Sequence, residues 1–187
     1  MGRGARGLGR LVLALTIAVA ARGASVGDPE EDGTFRVTQP VVCKEIRGFD
    51  DYDLLPGAAV TKDDKLLVYF TPHHFKTARV GKKYQAHFSE GGLIRRRGQK
   101  AVLWSREKLL ELKSTYDAPP KGIFIKNTVS VKELKPGEYE FEVTLHDMVG
   151  DSPPSTRTVP FRVVPSAEGA GGKDDELGRP GGRTGPG

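Results

Sequence analysis

The stretch PGEYEFEVTLHD, residues 136–147, followed after a Gly, Asp, Ser and Pro turn cluster by TRTVPFRVV, residues 156–164, decides the fold. In the first run Tyr139, Phe141, Val143 and Leu145 fall on one side, and Glu138, Glu140, Glu142 and Thr144 fall on the other. A period of two belongs to a strand with one face in a core and one in water. The two runs therefore read as the closing strand pair of an antiparallel sandwich. Pro160 cannot donate to a ladder, which predicts an edge or an outward-facing N–H for its strand.

Working outward, further strands are expected at 35–39, 41–47, 65–71, 82–89, 92–96, 100–105 and 122–131. Asp50-Asp51, Leu55-Pro56-Gly57, Asp63-Asp64, Arg97-Gly98, Ala118-Pro119-Pro120 and Lys135-Pro136-Gly137 punctuate them. Gly91-Gly92 either ends a hairpin or bulges one long strand running on to Arg96. Ser105 to Tyr116 reads equally as a short helix capped by Ser105, with Leu109, Leu110 and Leu112 inward, or as an irregular loop. The expected fold class is all-β, an immunoglobulin-like antiparallel β-sandwich of about seven to nine strands with disordered termini.

The N-terminus carries Arg3, Arg6 and Arg10, then an uncharged run from Leu11 to Ala21, the pattern of a secretory signal over residues 1–23. Small residues at Ala21 and Gly23, or at Ala18 and Ala20, supply the cleavage positions, and the apolar run is too short to span a bilayer. No stable membrane insertion is expected after cleavage. Residues 24–33 read as an acidic disordered linker, 34–166 as the folded domain, and 167–187 as a disordered Gly/Pro-rich tail. The expected location is secreted or periplasmic.

The formal charge of +5 includes four arginines of the signal, so the mature chain keeps 25 basic against 24 acidic residues. Eight acids lie in the two flanks, which leaves 22 basic and 16 acidic residues from Thr34 to Ser166. A mildly basic domain between acidic tails suits contact with anionic polymers. The single cysteine, Cys43, excludes an internal disulfide and reads as a buried strand thiol.

Cys43-Lys44-Glu45-Ile46-Arg47-Gly48-Phe49 with Tyr52, Leu66-Leu67-Val68-Tyr69-Phe70, Gly81 with Tyr84, and Gly98 before Val102-Leu103-Trp104 form an ordered set. It continues through Leu134-Lys135-Pro136-Gly137-Glu138-Tyr139 and Leu145-His146-Asp147 to Phe161-Arg162-Val163. This order resembles uncharacterised exported bacterial single-domain immunoglobulin-like β-sandwich proteins. The resemblance implies fold and location, and brings no catalytic or binding residues with it.

Among chemistry-bearing residues, Arg95, Arg96 and Arg97 with Lys100 sit at an expected hairpin tip and are the candidate binding residues for an anionic polymer. Without stacking aromatics in that run, nucleic acid is not an expected partner. His73, His74, His87 and His146 lack ligand spacing, so no metal and no cofactor are expected. Asp147 reads as a cap on its turn, and no carboxylate pair, nucleophile elbow or phosphate loop points to catalysis. Tyr69, Phe70, Trp104, Phe124, Tyr139, Phe141 and Phe161 read mostly as core, although alternation does not settle which face Trp104 takes.

The expectation is an exported, non-catalytic binding or structural protein of the cell envelope or extracellular space. Its partner is an envelope protein or an anionic glycan, and its oligomeric state is left open. A carbohydrate-binding or hydrolytic accessory domain and a subunit of a larger envelope assembly are the alternatives.

Overall fold

In the computed structural model, residues 33–166 are described; the expectations for 1–23, for most of 24–33 and for 167–187 fall outside them. Twelve strands and one short 3-10 turn make up this part, and no α-helix occurs among the described residues. The closing pair is as the alternation demands. β11 (Gly137–Asp147) pairs antiparallel with β12 (Ser155–Val164) from Gly137↔Val163 to Leu145↔Ser155. Tyr139, Phe141, Val143, Leu145, Val159, Phe161 and Val163 are all buried in one cluster.

β11 lies in a curled sheet ordered β4 (Ala59–Thr61), β12, β11, β8 (Lys83–Arg96), with β7 (Ala78–Val80) and β9 (Val102–Tyr116) also pairing β8. A second sheet runs β10 (Ile125–Ser130), β5 (Lys65–Phe70), β2 (Val41–Gly48), β3 (Asp51–Leu54). β1 (Arg36–Val37) and β6 (Pro72–His73) form a small antiparallel pair. Leu66, Val68 and Phe70 of β5 and Ile125 and Val129 of β10 join the β8, β11 and β12 side chains in a common core. At about 25 cal/mol per Å² of apolar area removed from water, these aromatic and branched residues supply most of the fold's driving force.

Of the two readings at Gly91-Gly92 the long strand holds: the strands expected at 82–89 and 92–96 are one, β8, with inward Ala86, Phe88, Glu90, Gly92 and Ile94 in unbroken alternation. Other expectations are corrected. Ser105–Tyr116 is neither helix nor loop but most of β9. Its helix-like spacing comes from a bulge: Glu90 pairs with Leu110 but Gly92 with Arg106, so β9 uses four residues where β8 uses two. The packing is close there: a Cβ at Gly92 would lie 2.9 Å from Leu109 Cδ2 and 3.2 Å from the Phe141 ring, so Leu109 would have to move aside. β12 also pairs in parallel with β4, through Arg162↔Ala59 to Val164↔Thr61, so the arrangement is not wholly antiparallel. Pro160 lies outside that outer pairing, as its missing N–H requires.

Tyr69 and Phe124 leave the main core. They belong to a smaller cluster with Cys43, Ile46 and Tyr52 on the other face of the four-stranded sheet. Tyr52 lies tilted against Tyr69 with centroids 4.4 Å apart, and Tyr69 stacks on Phe124 at 5.7 Å. Rings stacked on each other have their faces occupied already and do not form the flat platform on which sugars stack. Burial pushes the Cys43 thiol above its ordinary value, helped by the Asp53 charge, which leaves it a structural and not a reactive group.

Candidate functional site

The alternation of β8 divides the three arginines between its two faces. Arg95 points outward to the glutamates of β11, with Nε 3.0 Å from Glu140 Oε2 and Nη2 2.9 Å from Glu142 Oε2. Arg97 Nη1 is 3.9 Å from Glu138 Oε2. These two arginines therefore meet the polar face of the closing strand, and most of Arg95's charge is spent there. Lys100 is exposed in the connection between β8 and β9. The candidate anion site thus does not act as one cluster.

Arg96 takes the opposite face. Its guanidinium carbon lies 5.3 Å from the Tyr139 ring centroid, and no carboxylate lies within ion-pair distance of it among the described residues. Phe161 stacks against Tyr139 with centroids 5.6 Å apart, and the Tyr139 hydroxyl donates to the Lys135 carbonyl at 2.6 Å. The ring is fixed from three directions.

Above this floor opens a cleft of about 620 Å³ between the two sheets. Ile94 and Tyr139 form its base, Trp104, Leu103 and Leu134 its apolar walls, and Arg96, Lys135 and Glu133 its charged rim. Trp104 is half-buried, tilted against Phe141 with centroids 6.5 Å apart, and Arg106 approaches its ring at 6.0 Å. Leu103 is 51% exposed at the lip. This settles the face of Trp104: the register Ile94↔Trp104 puts it inward at the mouth of the sandwich. A half-open apolar hollow with a few charged groups at its edge is the usual form of a small-ligand site.

Sequence reasoning missed two groups. One is the cleft, formed only when residues 130–135 fold over the start of β9. The other is Glu90, an inward residue of β8 with no exposed surface. Its Oε1 accepts from Asn127 Nδ2 of the facing sheet at 2.5 Å, while Oε2 has no partner. Loss of solvation, opposed only by the Asn127 hydrogen bond, pushes this carboxyl up to about 7. Continuing the Ala86, Phe88 alternation through Glu90 would have revealed it.

The remaining candidates serve structure. Asp147 accepts from the backbone N–H of Val149 at 3.0 Å and of Lys76 at 2.7 Å, the capping role expected of it. Asp64 accepts from both N–H and hydroxyl of Thr61, which lowers its pKa. His87 Nε2 lies 3.0 Å from Glu111 Oε1 near the surface. No group of three or more His, Cys, Asp or Glu side chains converges among the described residues, and no described helix is long and apolar enough to cross a membrane. Comparison with protein-family models, with curated proteins and with solved structures found no match.

Proposed function

We propose that the chain is an exported, non-catalytic module of the cell envelope or extracellular space, with an immunoglobulin-like β-sandwich arrangement, that works by binding. Its kinship with the exported bacterial proteins it resembles belongs to the same proposal. The supporting observation is the cleft at Trp104, which combines the half-buried Trp104 ring, the exposed apolar lip at Leu103 and the cationic Arg96, above a base held rigid by Tyr139. A fixed floor lowers the ordering cost of association, and exposed apolar lips gain from being covered. Arg96 is the residue that faces an anionic partner at this cleft, whereas Arg95 and Arg97 meet the glutamates of the closing strand and Lys100 lies apart from it.

The test is a pull-down of the tagged mature protein from envelope extract, compared with Leu103→Asp. Leu103 is exposed, so this substitution changes the lip without disturbing the core. Capture of the same species by the wild type alone, analysed for glycan and protein, is the expected result. Equal capture by both proteins removes the cleft from the binding surface.

A further inference from the structure

Resting on the proposal that the Trp104 cleft is the binding site, we infer that it takes a small amphipathic anion: a compact apolar body carrying one carboxylate, sulfonate or phosphate group. Three observations specify this ligand. The cleft's volume of about 620 Å³ falls within the range of small-molecule sites, about 300–1,000 Å³. Leu103, Trp104 and Leu134 offer apolar area to a ligand above a base in which Ile94 and Tyr139 are each 1% exposed, and the polar groups of the lining, Ser130 and the charged rim, form no continuous array of donors and acceptors for a polyol.

The rim bears Arg96, Lys135 and Glu133, one more cation than anion. Of the three consecutive arginines, the one facing this cleft is the one without a carboxylate partner among the described residues. A guanidinium resting on an aromatic face keeps its N–H donors at its edge, where they form charge-assisted bonds to an oxyanion. The apolar body then lies against Trp104 and Leu134, and the anion sits at the mouth beside Arg96. Arg96 determines ligand charge, and Trp104 and Leu134 determine ligand shape.

The sole tryptophan of the chain is Trp104, so its emission reports directly on the cleft. The experiment titrates the full-length mature protein with 8-anilinonaphthalene-1-sulfonate and with N-phenyl-1-naphthylamine, which has the same rings but no sulfonate. Saturable quenching of Trp104 is expected with both, tighter for the sulfonate by about tenfold or more. Arg96→Gln brings the sulfonate down to the affinity of the neutral amine and leaves the amine unchanged. Arg96→Lys recovers part of the difference, and matching thermal melts of the three proteins show that the fold is retained.

Equal affinity of the two compounds, or an Arg96→Gln variant that still prefers the sulfonate, overturns the anionic ligand while leaving the cleft as a binding site. Failure of both compounds to quench Trp104 removes the cleft reading itself. Retention on vesicles containing phosphatidylglycerol, lost in Arg96→Gln, together with no uptake of the soluble sulfonate, overturns a free small ligand in favour of a membrane headgroup.

Discussion

Glu90 and Asp147 are both acids on the inward face of the curled sheet, 0% and 5% exposed, and their surroundings treat them in opposite ways. Asp147 stands where β11 enters a turn, and two backbone amides from separate segments converge on its two oxygens. Glu90 stands in mid-strand between its ladder partners Leu145 of β11 and Leu110 of β9, and one amide of the opposite sheet reaches one of its oxygens while the other has no partner. Strand ends have donors to spare and strand centres do not, so a buried carboxylate is stable at the first position and costly at the second.

The largest effect that sharpens this contrast is a pH dependence. Folding raises the Glu90 pKa from an ordinary 4.5 to about 7, so the folded state favours the protonated acid. The associated stability is fully present below pH 4.5 and is lost as pH rises through 7, amounting to about 3 kcal/mol. Chemical unfolding at pH 5 and pH 8 should show this fall. In Glu90→Gln most of the fall should disappear, making the variant the more stable protein above pH 7. A wild type equally stable at both values would show that Glu90 is solvated.

Next in size, Asp147→Ala strips the Lys76 and Val149 amides of their acceptor and should cost about 2 to 3 kcal/mol, read as a lowered urea midpoint. Asn127→Ala should cost about 1 to 2 kcal/mol and steepen the pH dependence, because Glu90 then loses its one donor. The smallest effect belongs to the surface: Arg95→Ala should cost less than about 1 kcal/mol, since its partners Glu140 and Glu142 face solvent on one side. A loss at Arg95 as large as that at Asp147 would break the argument that donor supply, and not charge pairing, sets the balance.

The sequence made some of this readable. β11 and β12 could be placed because burial on one face imposes a period of two, and β10 follows for the same reason, whereas β2 and β5 are legible as short apolar runs bounded by turn residues. β3, β4, β6 and β7 are two to four residues long, too short for any period to emerge. β9 was hidden because its bulge leaves Arg106, Glu107 and Lys108 exposed between Trp104 and Leu110 and turns Leu109 inward beside Leu110, so that the alternation is interrupted and Leu109, Leu110 and Leu112 mimic a helical face. At the candidate site, the basic run itself was visible, but its division between two faces depends on strand phase at Arg95, and the cleft depends on tertiary closure over Leu134. Glu90 was overlooked because the glycine pair suggested a strand end just where the strand continues.

The parallel contact between β4 and β12 also sets a clock. The last described strand lies between β11 and residues 59–61, and it accepts a side-chain bond from Gln39 at Thr158. A chain released only as far as Pro154 holds a sheet that cannot close. Pairings so distant along the chain form slowly, and assembly must wait for the carboxyl-terminal segment to arrive. Chains stopped just short of Ser155 should accumulate as aggregation-prone intermediates in which β11 and β4 both present open margins.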